Sequence, residues 1–234
     1  MPTPAFQRLH ARLADGKRLI EIHEECTGAA AGRRRGYDAP NRSAVILAVA
    51  AWEGYSEDLL EASVGRVLRY MASPSQLPQG VREAMVAHLH EAENWSKLTA
   101  ASKTSIWGLT GDGWRTAYVT YARAKIAALR TPDYRNLKKL YAGVIGLPDI
   151  SSLWGARRWT AADYVTRLNS LLLLRHRIAH GVIGAKTVGK TKAAGAVALI
   201  ERLAGWTDKS VIAHLNSIDV RPMRRRPPGH ARFR

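Results

Sequence analysis

Cysteine is almost absent: Cys26 is the one thiol in 234 residues. No intramolecular disulfide can form, a multi-cysteine zinc site is excluded, and a reducing, cytoplasmic setting is the expectation. Long apolar runs are missing too. The longest, Ala44 to Trp52, is nine residues, where a membrane-spanning helix needs about 20, so no membrane association is expected. The first residues mix charge with apolar side chains and lack the apolar stretch of a secretory signal. Neither strand-like alternation nor an internal repeat is visible. The last shortage is of acid. Nineteen Asp and Glu face 36 Lys and Arg, leaving a charge of +17. Such an excess points to a polyanionic partner, because clustered cations release the counterions held on phosphates. It does not separate RNA from DNA, or either from an acidic protein.

With 46% hydrophobic and 24% charged residues the chain is of globular type, and it is long enough to bury a core without metal or disulfide staples. Its charge is uneven. The last 14 residues, RPMRRRPPGHARFR, hold six arginines and no acid; Pro222, Pro227, Pro228 and Gly229 bar a regular element, so residues 221–234 read as a flexible basic arm. A second basic run, Arg33-Arg34-Arg35, lies between glycines in a loop that follows an N-terminal helix. The organisation expected is 1–42 for that helix and loop, 43–220 for a helical domain, and 221–234 for the tail.

Hydrophobic periodicity predicts helices almost throughout. Pro4 to Glu25 carries Phe6, Leu9, Leu13, Leu19 and Ile22 at helical spacing, weakened by Gly16. The clearest helix runs from Ser43 to Tyr70, with Val45, Val49, Trp52, Tyr55, Leu59 and Val67 on one stripe, Glu53, Glu57 and Glu61 on another, and Asn41-Arg42-Ser43 as the cap. Further helices are expected over 80–97, 114–129 and 134–144, the last followed by a turn at 146–150. A long helix starting at Thr160 or Ala161 runs to Gly181, and two helices, 193–205 and 207–217, come last. The stretch GVIGAKTVGKTKAAG before them is compatible with a short hairpin. The class is all-α, a helical bundle with extra helices.

The most informative segment is LLLLRHRIAHG, residues 171–181. It sets Arg175, His176, Arg177 and His180 at the end of an apolar helix, with Gly181 placed to terminate it. A guanidinium can fork onto two phosphate oxygens and an imidazole can give or take a proton near neutral pH. Together these groups suit phosphodiester cleavage. Five residues turn a helix through about 140°, so Arg175 and His180 do not share a face of a straight rod, but an arginine reaches round and the helix ends there. The negative end of the helix dipole favours a charged imidazole, as a general acid requires.

This segment resembles the motif of the HEPN domains, all-α modules marked by an Arg, four to six intervening residues and a His. Here four intervene, the first of them polar, and Arg-His-Arg-Ile-Ala-His-Gly is similar to the branch called RiboL-PSP-HEPN. Ala50-Ala51-Trp52-Glu53-Gly54-Tyr55 and the stretch from Asn136-Leu137 through Gly146-Leu147-Pro148-Asp149-Ile150 are similar to segments of the same branch, so the resemblance covers roughly 43–215. It implies a metal-independent endoribonuclease without cofactor, in which the ribose 2′-hydroxyl attacks the adjacent phosphate. It further implies His180 as general acid or base, Arg175 as stabiliser of the charged phosphorus centre, and His176 orienting the phosphate or His180. A homodimer with two motifs across one cleft, a toxin or antiviral role, and an antitoxin or regulatory protein as partner are implied as well. Glu53 reads either as part of a solvated helix face or as a partner for Arg175. A non-catalytic module of the same fold, binding RNA or a protein, is the alternative, and a DNA-associated protein using the arginine tail is a third reading.

Two decoys lie nearby. Gly184-Ala-Lys-Thr-Val-Gly189-Lys190-Thr191 matches the phosphate-loop pattern, but it follows a helix rather than a strand and no apolar strand ending in Asp comes after it. Its lysines, Lys186 and Lys190, are instead candidates, with Arg177, for holding RNA backbone. His176 and His180 have the spacing of a zinc pair, yet Arg177 stands where a zinc-peptidase helix has its glutamate and a third ligand is not evident, so no metal is expected. His88 and His90 point to different sides of a helix and read as surface residues.

Overall fold

The computed structural model describes residues 2–28, 38–89, 99–100, 109–155, 159–181 and 187–218. Among them are seven α-helices and no strand: α1 (Pro4–Thr27), α2 (Asp38–Tyr70), α3 (Gln79–Leu89), α4 (Gly113–Ala127), α5 (Tyr134–Ile145), α6 (Ala161–Ala179) and α7 (Lys190–Ser217). The all-α class read from periodicity is the class observed. The loop arginines 33–35, His90, Trp95, Lys97, Trp107, Lys186 and the tail 221–234 lie outside the described residues.

α2 is the pillar of the bundle. Val45, Val49, Trp52, Ser56, Leu59, Ser63 and Val67 recur at steps of three and four and are all buried, and the helix touches α1, α4, α5, α6 and α7. It begins at Asp38, five residues before the predicted start at Ser43. Pro40 is no obstacle in a first turn, whose N–H groups have no helical acceptor. Asn41 is therefore not a cap: it is buried, with Nδ2 3.4 Å from Nδ1 of His23 on α1.

α1 runs unbroken through Gly16, because that glycine is buried where α1, α2 and α7 meet: a Cβ there would lie 3.6 Å from the Ala44 carbonyl oxygen and from Val197 Cγ2. The boundary expected at residue 42 is not a packing boundary, since Ala5, Leu9 and Leu13 of α1 belong to the common core. Thr3 fixes the start of α1. Its hydroxyl accepts from the Phe6 N–H at 3.2 Å, and its own N–H and hydroxyl donate to the buried Asp208 carboxylate of α7.

α7 replaces two predicted helices, 193–205 and 207–217, with one. The expected break at Gly205 does not occur: that glycine lies inside the helix against Phe6. The stretch compatible with a hairpin is helical from Lys190 onward, and residues 182–186 of it lie outside the described residues. α5 ends at Gly146, whose φ of +73° suits glycine and whose N–H donates to the Ala142 carbonyl at 3.0 Å. A side chain there would collide with Pro78, 2.5 Å from the Cβ position.

The core is rich in polar-tipped aromatics, several of them bonded across the bundle, while Trp114 Nε1 and the Tyr141 hydroxyl are buried without a partner among the described residues. Trp52 Nε1 donates to the Pro132 carbonyl at 2.9 Å, Tyr55 to the Ala204 carbonyl at 2.9 Å, Tyr118 to the Val144 carbonyl at 2.8 Å, and Trp154 Nε1 to the Thr207 hydroxyl at 3.0 Å. Burial pushes the Tyr55 and Tyr118 phenols well above their ordinary range, so they act as neutral donors. Trp114 and Trp154 are core residues, both 1% exposed. No helix among the described residues is long and apolar enough to cross a membrane.

Candidate functional site

α6 carries the motif, and its sequence accounts for its start, its tilt and its stop. Thr160 and Asp163 form a reciprocal cap: the Thr160 hydroxyl accepts from the Asp163 N–H at 3.3 Å while the Asp163 carboxylate accepts from the Thr160 N–H at 2.7 Å. The Thr160 N–H and the Thr160 hydroxyl, which donates at 2.8 Å, hold the Asp163 carboxyl below the usual range. Tyr164, Leu168 and Leu171, at steps of four and three, bury one face against the core. The helix stops after Ala179. The His180 N–H still donates to the His176 carbonyl at 3.0 Å, and Gly181 follows at φ +63°, with its N–H on the Ile178 carbonyl at 3.2 Å.

The four-residue step then does what helix geometry requires. His176 and His180 project from one face, and their rings pack with centroids 4.3 Å apart at 52°. Both are exposed, as are Arg175 and Arg177. Arg175 and His176 line a cleft of about 330 Å³ between α6, α2 and the segment joining α4 to α5, with Glu53, Arg130, Asp133 and Asn169. His180 is not part of the cleft wall; it reaches the cleft through its contact with His176. Arg175 thus shares the cleft with His176, and His176 links it to His180, which resolves the angular separation of Arg175 and His180 along the helix.

Glu53 is half-buried in the cleft wall, and no ion pair within 4.0 Å joins it to Arg175. Its neighbours diverge. Glu61 is exposed, whereas burial, followed by repulsion from Glu53, Asp58 and Glu61, raises the Glu57 carboxyl. The stripe is therefore only partly a solvated face. Neither Arg175 nor Arg130 has a contact ion-pair partner among the described residues, although the carboxyls of Glu53 and Asp133 line the same cleft. Arg177 lies outside the cleft wall. Lys190 is placed elsewhere, 2.6 Å from Glu24 of α1. A helix, α6, precedes the glycine-lysine segment where a phosphate loop needs a strand, and its Lys190 is held by an ion pair; residues 184–186 of it lie outside the described residues. Among the described residues no group of three His, Cys, Asp or Glu is arranged to hold a metal ion.

Sequence reading missed Arg130, Asp133 and Asn169. Asn169 was legible: it stands seven residues, two helical turns, before His176 and on the same face. Thr131, Pro132 and Asp133 read only as the stop of the helix expected over 114–129, and Arg130 had no reading. The fold gives them a second use, because buried Trp52 pins the Pro132 carbonyl and Asp133 caps α5, accepting from the Asn136 N–H at 2.8 Å. The Ala50–Tyr55 segment is a hub: Trp52 holds the cleft loop, Glu53 lines the cleft, Gly54 leaves room for the Arg12 guanidinium, and Tyr55 ties α2 to α7.

A helical bundle with an Arg-His pair of residues closing an exposed helix end defines a class of protein. The family model RiboL-PSP-HEPN matches residues 12–211, and the chain belongs to that family, a branch of the HEPN domains. The match begins inside α1, consistent with the packing of that helix into the common core. Searches of curated proteins and of solved structures find no match. Family membership places the chain among domains associated with RNA.

Proposed function

We propose that this protein is an endoribonuclease that cleaves RNA by internal attack of the 2′-hydroxyl. In this reaction the 2′ oxygen bonds to the adjacent phosphorus and gives up its proton to a neutral imidazole. The bond from phosphorus to the 5′ oxygen breaks, and a protonated imidazole donates to that oxygen, leaving a 2′,3′-cyclic phosphate and a 5′-hydroxyl. No metal is required if a fixed cation neutralises the five-coordinate phosphorus. His180 exchanges the proton, Arg175 stabilises the phosphorane charge, and His176, between the cleft and His180, orients both. The observation that carries this reading is the His176–His180 pair, 4.3 Å between centroids, beside a cleft in which Arg175 and Arg130 have no contact ion-pair partner among the described residues.

The open position of the motif also supports a homodimer. The four motif side chains are exposed, and so is Leu173 on the same helix, at 50%. A second copy across α6 would cover Leu173 and bring in a second histidine pair. A toxin or antiviral role, with a regulatory partner that silences it, fits an enzyme that would otherwise cut the RNA of its own cell.

The test is cleavage of total and transfer RNA in EDTA, which disables contaminating metal nucleases, by wild type and His180→Ala purified in parallel. Wild type should cut and leave cyclic-phosphate ends, while the folded mutant should lose at least 10²-fold in rate, the order of a general acid–base contribution. Equal cutting by both would overturn the assignment of His180. RNA binding without cleavage by either would support a non-catalytic module instead.

A further inference from the structure

A second pocket, of about 440 Å³, lies among α3, α4 and α5. Arg130 lines both pockets, so the two adjoin at this residue. Its lining is of two kinds. Ala84, Leu129 and Leu140, with Tyr121 and the exposed Ala128, make its apolar lining, and Lys125, Arg130 and Lys139 are exposed cations around it. None of the three cations has an ion-pair partner among the described residues; Lys125 lies over the Tyr121 ring at 5.7 Å. A salt-bridged surface would pair such charges with acids, as Lys138, one residue away from Lys139, does with Asp149 at 2.9 Å.

Asn136 couples this pocket to the cleft. Its Nδ2 donates to the Thr131 carbonyl at 2.9 Å and to the Asp133 carboxylate at 3.3 Å, so it braces the loop that walls the cleft. Its own Oδ1 accepts no hydrogen bond among the described residues, and Asn136 lines the pocket.

An apolar floor ringed by unpaired cations has the chemistry of a nucleotide: a flat base for the floor, an N–H for an amide oxygen, and phosphates for the rim. We infer that this pocket is a subsite for one unstacked nucleotide of the RNA, adjoining the scissile phosphate across Arg130, and that the substrate is therefore single-stranded at that point. A base in a duplex is stacked and paired and cannot enter a pocket of this kind. The inference rests on the ribonuclease reading for its adjacency to the scissile bond, but not for binding itself.

Binding is therefore measured without catalysis. The probe is a labelled single-stranded RNA of about eight nucleotides, titrated by fluorescence anisotropy into His180→Ala and into that protein carrying either Lys125→Ala with Lys139→Ala or Ala128→Trp. All three added changes are at exposed positions, and far-UV circular dichroism checks the fold. The lysine pair should lose about tenfold in affinity, with a log–log salt slope lower by about 1.4, two phosphates at about 0.7 each on a single strand. Ala128→Trp, which fills the pocket and keeps every charge, should lose RNA affinity while binding inorganic polyphosphate as before. Undiminished RNA binding by Ala128→Trp would overturn the subsite and leave a plain electrostatic surface. So would tighter binding of duplex than of single-stranded RNA. If wild type cuts nothing yet the pocket variants lose RNA, the ribonuclease reading fails and the subsite stands; if wild type cuts and both variants bind like the parent, the subsite alone fails.

Discussion

Trp52 offers the sharpest test of how the core holds the cleft. It is 0% exposed, and its Nε1 donates to the Pro132 carbonyl at 2.9 Å. Pro132 lines the cleft, and its carbonyl has no other donor among the described residues. Trp52→Phe removes the donor and leaves a buried acceptor unsatisfied, a cost of about 1–3 kcal/mol. The smaller ring also loses contact with Tyr55, stacked at 5.7 Å, and with Trp154, edge-on at 6.1 Å, adding about 1 kcal/mol for the space it vacates. The sum, about 3 kcal/mol, corresponds to a Tm lower by about 6–12 °C in a chain of this size. Trp154→Phe is the control. It makes a similar void, but its partner is the Thr207 hydroxyl, which can rotate and keep its proton donated, so it should cost about 1–2 kcal/mol less. Urea unfolding followed by circular dichroism measures both. At equal folded fraction Trp52→Phe should also cleave RNA more slowly, through displacement of the 131–133 loop, while Trp154→Phe should not. Equal destabilisation by the two changes would refute the argument that this bond secures the cleft wall.

Two glycines should respond to alanine with opposite sign. Gly146→Ala meets Pro78 at 2.5 Å and a φ of +73°, and should lose more than about 2 kcal/mol, whereas Gly16→Ala places its methyl at ordinary contact, 3.6 Å, inside a helix and should gain about 0.5–1 kcal/mol; thermal melts of the two variants check the pair. Asp149 gives a pH signature. Burial pushes its carboxyl up, but the Ser151 hydroxyl, Lys138 and the Ser152 N–H together outweigh burial and hold it below the usual range. A carboxyl depressed in the folded state stabilises above its unfolded value, near 4, and that contribution fades as pH falls through the folded one. Wild type should therefore exceed Asp149→Asn in stability by a constant margin above about pH 5, and the margin should close in acid, as read by urea midpoints across pH; a margin that widens in acid would contradict the sign.

Much of this protein is local in origin and was legible in its sequence. Period-3.6 patterning is a property of neighbouring residues, so the helical class, the Thr160 start of α6 and the Gly181 stop could be read directly, and a four-residue step alone puts His176 beside His180. The boundaries that failed did so where packing overrode a local signal: Gly16 and Gly205 read as breaks but lie inside packed helices, in ordinary contact range of Ala44 and Phe6, and Asn41 read as a cap but is buried beside His23. Tertiary structure alone decided what surrounds the motif. Arg130, Glu53 and Asn169 come from three separate stretches of chain, and which charges stay unpaired depends on long-range partners: Lys190 is taken by Glu24 across 166 residues, while Arg175 and Arg130 have no contact ion pair among the described residues. Spacing along a helix fixes which side chains share its face, but the wall opposite that face is built by whatever the folded core brings there, here by an indole that holds a proline carbonyl 80 residues away.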